Sequence, residues 1–389
     1  MKGFKFKGIH AGIKKDGKYD LGIIFSEKPA SAAALFTRNR VVAAPVVLGR
    51  ERIQSGLCQA VVVNSGNANC FTGEKGLEDA RTTARLASEY LGIPEPLVMV
   101  ASTGVIGAPL PMEVIETGLH EVTSDMSAEK LEEFARAIMT TDKQMKISSK
   151  TVSVKSGQFT ITGIAKGSGM IKPDMATMLA FVCTDLDVSA LSLKACLKKS
   201  CDLSFNRISV DGDTSTNDLV LALANGMSHV VIEDSDDSLE FQKALDHVLL
   251  ELATMIVRDG EGATKLVKIT VAGALSPEDA LTVARTVSES NLVKTAIYGE
   301  DPNWGRIIAA AGRSGAEVDP GRMDLVFGDA QLVRQGVWLG KDAEKKAAAI
   351  MKNPELDIVL DLNLGSFSDS VLFCDFSEEY VRINADYRS

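Results

Sequence analysis

No Cys-x-x-Cys pair occurs among the six cysteines, and most of them (Cys58, Cys70, Cys183, Cys196, Cys201, Cys374) stand in apolar surroundings. That sets aside a zinc ribbon or a disulfide framework and leaves buried, reduced thiols. No apolar run approaches the ~18 residues of a membrane-spanning helix. The basic start, Met1 to Lys7, is followed by no apolar signal core, so export is not expected and a cytoplasmic location is. Positive charge is in short supply too: 42 Lys and Arg face 52 Asp and Glu, a net of -10, with only small basic clusters such as Lys198 and Lys199. A duplex needs a basic stripe for phosphate neutralisation, so nucleic acid is not an expected partner.

Common catalytic equipment is missing as well. The four histidines, His10, His120, His229 and His247, pair with no motif serine or cysteine, and a Ser-His-Asp mechanism finds no support. Asp211 to Asn217 begins like a calcium loop but lacks Gly at its sixth position and Glu at its twelfth. Gly167-Ser168-Gly169 has Lys172 where a dinucleotide loop needs its third glycine. Neither a metal nor a nucleotide is expected.

What is present is an α/β pattern. With 389 residues, 45% of them hydrophobic, the chain is long enough for two subdomains. Short apolar runs at Tyr19 to Phe25, Val41 to Leu48, Ala60 to Val63, Leu97 to Ala101 and Met178 to Cys183 read as strands. Helical spacing runs through Leu77 to Leu91, Ala128 to Met139 and Val188 to Phe205, and through Leu245, Val248, Leu249, Leu252, Ala253 and Ile256, a core-facing stripe. Ser276-Pro277-Glu278-Asp279 is a helix start with a capping hydroxyl and proline at the first position. Strands return at Leu266 to Ala272, Asp324 to Phe327, Leu356 to Leu362 and Ser370 to Phe376, and a frayed C-terminus is the ordinary expectation. Small and amide residues follow two strands, at Asn64 to Asn69 and at Ser102-Thr103-Gly104. Such loops are ordinary turns or, alternatively, backbone donors for a developing negative charge.

One stretch concentrates the unusual residues. Lys166 to Lys172 is a glycine-loosened loop carrying a cation; Pro173 bends it; Thr177 stands at the head of the apolar run from Met178. By itself Thr177 reads as the first residue of a strand. A threonine hydroxyl becomes a nucleophile when a base removes its proton, and the α-amine of the same residue serves if the chain is cut between Ala176 and Thr177. Such an amine titrates near pH ~8.

This segment, with Ser102 to Gly107, Met139 to Asp142, Ser209 to Asp218, Arg258 to Lys265, Gly299 to Arg306 and Ile383 to Tyr387 in the same order, resembles the glutamate N-acetyltransferase, or ornithine acetyltransferase, family along the whole chain. The resemblance implies self-cleavage of the Ala176-Thr177 bond, with Thr177 then carrying the acetyl group. It implies an oxyanion hole from the Thr103 hydroxyl and the Gly104 N-H, and a substrate pocket lined by Thr140, Lys166, Thr177, Glu261, Asn384 and Ser389. A cation such as Lys166 suits a substrate carboxylate, and an acid such as Glu261 suits the ornithine amine; without the resemblance both read as solvated loop charges. Ser389 replaces the more usual Thr, and Lys172 and Asp174 replace the more usual His and Asn.

The implied activity moves an acetyl group from N2-acetylornithine to glutamate, in arginine biosynthesis, with no cofactor and with acetyl-CoA open as an alternative donor. The implied fold is a sandwich of mixed sheets with outer helices, of the self-cleaving N-terminal-nucleophile kind. The expected pieces are 1–176 and 177–389, with a smaller C-terminal lobe over 280–389, assembled as a heterotetramer of two pieces of each kind. Two rivals stand beside this reading: an aminopeptidase or amidase on the related fold, and a binding protein that never cleaves.

Overall fold

Leu219, Leu221 and Leu223 are buried on one side of a strand and Val220, Ala222 and Ala224 on the other, so this strand is covered on both faces. It lies inside the larger of two sheets. The structure is a computed structural model that describes residues 1–172, 178–232 and 234–386. In chain order the strands are β1 (Phe4–Ile9), β2 (Leu21–Phe36), β3 (Leu57–Asn67), β4 (Val98–Val105), β5 (Lys146–Val154), β6 (Gly157–Lys166), β7 (Leu179–Thr184), β8 (Ile208–Ser209) and β9 (Leu219–Ala224). They continue with β10 (Leu266–Ala274), β11 (Asp324–Phe327), β12 (Ala330–Arg334), β13 (Val337–Trp338), β14 (Glu355–Asp361) and β15 (Phe367–Cys374). The first sheet runs β4-β3-β2-β9-β7-β6-β5 with β1 paired to β2, and the second runs β13-β12-β11-β14-β10-β15-β8. Both mix parallel and antiparallel pairs.

The helices are α1 (Ala44–Arg52), α2 (Gly73–Leu91), α3 (Met112–Val122), α4 (Leu131–Ala137), α5 (Ala190–Leu203), α6 (Ser235–Arg258), α7 (Pro277–Ser288), α8 (Asn291–Tyr298), α9 (Trp304–Gly312), α10 (Lys341–Ile350) and α11 (Glu378–Asp386). One face of the first sheet packs on α5 and α6 through Leu193, Leu197, Leu245, Leu249 and Leu252. The other takes Phe134 of α4, whose ring meets Phe6 and Phe181 at 6.2 and 5.6 Å between centroids. The second sheet has its own core, in which Val283 and Val287 of α7 and Ile307 of α9 cover Ile269, Leu325 and Ile358. Each fully buried leucine or phenylalanine contributes about 2 kcal/mol. This is the expected mixed α/β architecture with helices outside. No helix among the described residues is long and apolar enough to cross a membrane.

Helix α6 delivers part of the site. Asp234 caps it by accepting the amides of Asp236 and Asp237, and its stripe Leu245, Val248, Leu249, Leu252, Ala253 and Ile256 is buried as the spacing requires. It ends at Arg258, and Asp259 and Gly260 turn the chain toward Glu261.

One local expectation is overturned. Val41 to Leu48 is not a strand: Pro45 sits in the first turn of α1 and Val46 and Leu48 are buried. Proline presets the helical φ and gives up an amide that the first turn leaves unpaired anyway, and this outweighs the strand preference of the valines. In the C-terminal segment, Glu378–Asp386 forms the regular helix α11. Ser377 Oγ donates to the Gly262 carbonyl (2.6 Å), and Gly262, at φ 71°, has no room for a Cβ, which would come within 2.5 Å of the Tyr380 nitrogen.

Candidate active site

Strand register sets the rim of the site. Lys166, the last residue of β6, pairs with Leu179, which pairs with Leu219, which pairs with Phe36. The residues just outside this row, Met178, Asp218 and Thr37, therefore stand side by side. The Met178 carbonyl accepts the Leu219 amide (2.9 Å) and the Asp218 carbonyl accepts the Thr37 amide (3.1 Å).

Above this rim lies a cavity of about 130 Å³. It brings together Thr103, Gly104, Thr140, Lys166, Glu261 and Asn384, six residues singled out from the sequence, and adds Thr141, Asn217 and Asp218. Ala176, Thr177 and Ser389, the other predicted site residues, lie outside the described residues.

Each wall has its own support. Thr103 and Gly104 end β4, and Lys166 Nζ donates to Thr103 Oγ1 at 3.3 Å. Gly104 is at φ 131°, and a Cβ there would lie 2.4 Å from the Gly66 carbonyl carbon, so only glycine lets β3 and β4 close at this point. Glu261 is buried; its amide donates to the Ser168 carbonyl (2.9 Å) and its carboxylate accepts Asn384 Nδ2 (2.8 Å). The end of α11 thus joins the loop that follows α6.

A cluster of buried ions holds the Lys166 side from behind. Lys146 Nζ lies 2.7 Å from Asp142 Oδ1 and 2.6 Å from Asp259 Oδ2. Asp142 also accepts the Gly167 amide (2.7 Å) and the Thr140 amide (3.0 Å), and Asp259 accepts the Lys143 amide (3.0 Å). Burial pushes the Asp142 carboxyl up, but the Lys146 and Lys166 ammonium groups together with these donors hold it well below the usual carboxylate range. Burial lowers Lys166, and Asp142 opposes that shift.

The acidic loop Asp211 to Asp218, a motif without a sequence-level role, braces the site. Asp211 accepts the amides of Met170 and Ile171, which fixes the glycine loop, and Asn217 Nδ2 donates to the Ala68 and Ser102 carbonyls at 2.6 and 2.8 Å. Asp218 is 1% exposed, and its Oδ2 has no hydrogen-bond partner among the described residues. Sequence reading missed this residue, since nothing in the run of Asp, Asn, Ser and Thr distinguishes a turn-former from a group facing a cavity.

A wider depression of about 960 Å³ adjoins the cavity at Thr140 and Thr141 and is lined by Lys14, Lys18, Arg136 and Lys143. Lys14 Nζ donates to the carbonyls of Met139 (2.6 Å) and Tyr19 (2.8 Å), and burial lowers its pKa to about 8 against the pull of Asp20. No group of His, Cys, Asp and Glu suited to hold a metal occurs among the described residues.

The model of the ArgJ family matches residues 5–389. The chain is 50% identical to the arginine biosynthesis bifunctional protein ArgJ of Geobacter sulfurreducens, over the full length of both. It is 47% identical to the glutamate N-acetyltransferase of Methanocaldococcus jannaschii, over 98% of this chain and 97% of that protein. Among solved structures, the ornithine acetyltransferase of Mycobacterium tuberculosis complexed with ornithine aligns at 39% identity and a TM-score of 0.43, over 45% of this chain and 92% of that one.

Proposed function

The chain belongs to the ArgJ family, and on that premise we propose that Thr177, freed by cleavage after Ala176, passes an acetyl group from N2-acetylornithine to glutamate in the described cavity. It is an enzyme of arginine biosynthesis with acetyltransferase activity, as its full-length relatives are named. The hydrolase alternative is not favoured, because those relatives are transferases and not peptidases.

The observation that carries the mechanism is the meeting of Thr103, Gly104, Lys166 and Glu261 around one cavity beside Met178, the residue after Thr177. In the first half-reaction the Thr177 oxygen bonds to the acetyl carbon while the Thr177 α-amine takes the hydroxyl proton. The resulting oxyanion is held by the Thr103 hydroxyl and the Gly104 N-H; one such donor is worth roughly 3 kcal/mol of barrier. The C-N bond to ornithine then breaks, and the ammonium returns its proton to the leaving nitrogen. Glutamate reverses these steps on the acetyl-Thr177 ester and leaves as N-acetylglutamate. Lys166 takes a substrate carboxylate, Glu261 the ornithine side-chain amine, with Thr140, Asn384 and Ser389 completing the pocket. The basic depression beside it suits the approach of carboxylate-bearing substrates.

Topology bears on cleavage. Strands β9 and β7, which follow the proposed cut, are inserted between β2 and β6, which precede it. Pieces 1–176 and 177–389 would stay locked in one sheet after the bond is broken. A cytoplasmic heterotetramer, two pieces of each kind, belongs to the same reading, and light scattering on the native protein measures it.

Intact mass under denaturing conditions, beside the Thr177→Ala variant, tests the proposal. Two fragments meeting at Ala176 and Thr177, with the variant whole and inactive, is the expected result. One undivided 41.5 kDa species in both would remove the nucleophile's base.

A further inference from the structure

Resting on this reading of Thr177, we propose that Asp218 is the counter-charge of the α-ammonium that cleavage creates, a positioning residue for this group between proton uptake and return. A buried carboxyl without a partner costs stability. Asp218 presents one such oxygen: its Oδ2 is sealed from solvent and unpartnered among the described residues, while the Ser215 and Thr37 hydroxyls and the Met178 amide act on the carboxyl; it lines the cavity and makes no ion pair among the described residues. It stands beside Met178 on the rim, one residue along the chain from the proposed new terminus.

Among the described residues the surroundings offer no other counter-ion in contact. Lys166, at the end of β6, acts on Asp218 through space, but its own charge is answered chiefly by Asp142, with Glu261 contributing. Lys146 and Asp259 complete that cluster behind Lys166. Burial pushes the Asp218 carboxyl well above its usual range, against the Ser215 and Thr37 hydroxyls, Lys166 and the Met178 amide. In the uncleaved chain burial makes it hold its proton more tightly than an ordinary carboxyl. Cleavage adds water across the amide and releases a carboxyl on Ala176 and an amine on Thr177; the amine takes up one proton, from Asp218 or from solvent, leaving carboxylate beside ammonium. For turnover the ammonium first releases one proton to solvent; the neutral amine then takes the Thr177 hydroxyl proton next to this carboxylate and later gives it to the departing nitrogen.

Asp218→Asn keeps shape and removes the charge. In cleaved variant protein, kcat is expected to fall roughly ten- to a hundredfold with KM for acetylornithine within about twofold. A carboxylate raises the amine pKa, so removing it moves the rising limb of the pH-kcat/KM profile to lower pH by about 1 to 3 units. An unshifted limb in cleaved, folded variant overturns the proposal, since lost packing alone would not move it. If the variant fails to fold or cleave, the wild type decides: pH-dependent acetylation of the Thr177 terminus by acetic anhydride, read by mass, should titrate above the ~8 of a free α-amine. Titration at or below that value overturns it. A wild type found uncleaved instead overturns the reading of Thr177 and this proposal with it, whereas cleaved and active wild type with either negative result removes Asp218 alone.

Discussion

Asp142 and Asp218 are both buried aspartates near Lys166, one behind it and one across the cavity, yet their surroundings push them in opposite directions. Asp142 receives an ammonium at 2.7 Å and two backbone amides, and is ionised. Asp218 receives no ion pair among the described residues, and burial pushes its carboxyl well above the usual range. The same side chain therefore serves as a brace where its partners are supplied and as an unfilled position where one is missing. The difference separates the frame of the site from the part proposed to change when the chain is cut.

The comparison breaks most severely if the shared cation of the frame is removed. Lys146→Met leaves Asp142 and Asp259 facing each other in the interior, and a loss of about 3 to 5 kcal/mol is expected in urea unfolding at pH 7. A smaller pair of effects has opposite signs. In the uncleaved Thr177→Ala background, Asp142→Asn should lower stability by about 3 kcal/mol, whereas Asp218→Asn should raise it by about 1 kcal/mol. Matching signs would mean that the two carboxyls are not differently paired.

The pH dependence follows from the same contrast. The folded pKa of Asp142 is depressed, so its contribution is complete above the unfolded value of ~3.9 and is lost as pH falls from there toward the folded value. That of Asp218 is raised: its contribution is complete below ~3.9 and fades as pH rises through the folded value. Urea midpoints of the uncleaved background across pH 3 to 8 should show the acid-side loss shrink in Asp142→Asn and the loss toward neutral pH shrink in Asp218→Asn. The smallest effect is expected at Glu261→Gln, which keeps a contact to Asn384 but loses the charge. KM for acetylornithine should rise about tenfold with stability changed by less than about 1 kcal/mol. An unchanged KM would remove Glu261 from amine recognition.

Much of this frame is legible in the chain. The stripe of α6 from Leu245 to Ile256 is visible because a helix must repeat its apolar residues every three or four positions to bury one face. The run from Met178 to Cys183 reads as a strand for the corresponding reason. Val41 to Leu48 misleads because β-branched residues signal strand locally, while Pro45 and the packing of α1 decide the matter. Lys166, Glu261 and Asn384 are individually ordinary in sequence; they are grouped in advance only through the motifs in which they stand.

Some properties belonged to the sequence alone: the family, the alternation that makes both sheets, the threonine that precedes the apolar run from Met178, and the absence of a histidine-based triad. These depend on residue type and spacing along one chain. Tertiary structure decided the rest. Only the register Lys166-Leu179-Leu219-Phe36 puts Met178 beside Asp218, and only the docking of α11 on Gly262 brings Asn384 to Glu261. Lys146 meets Asp142 four positions away, but the second carboxylate of the cluster, Asp259, comes from more than a hundred positions along the chain. A carboxyl's charge depends on what surrounds it in space, and neighbours in space are not neighbours in sequence.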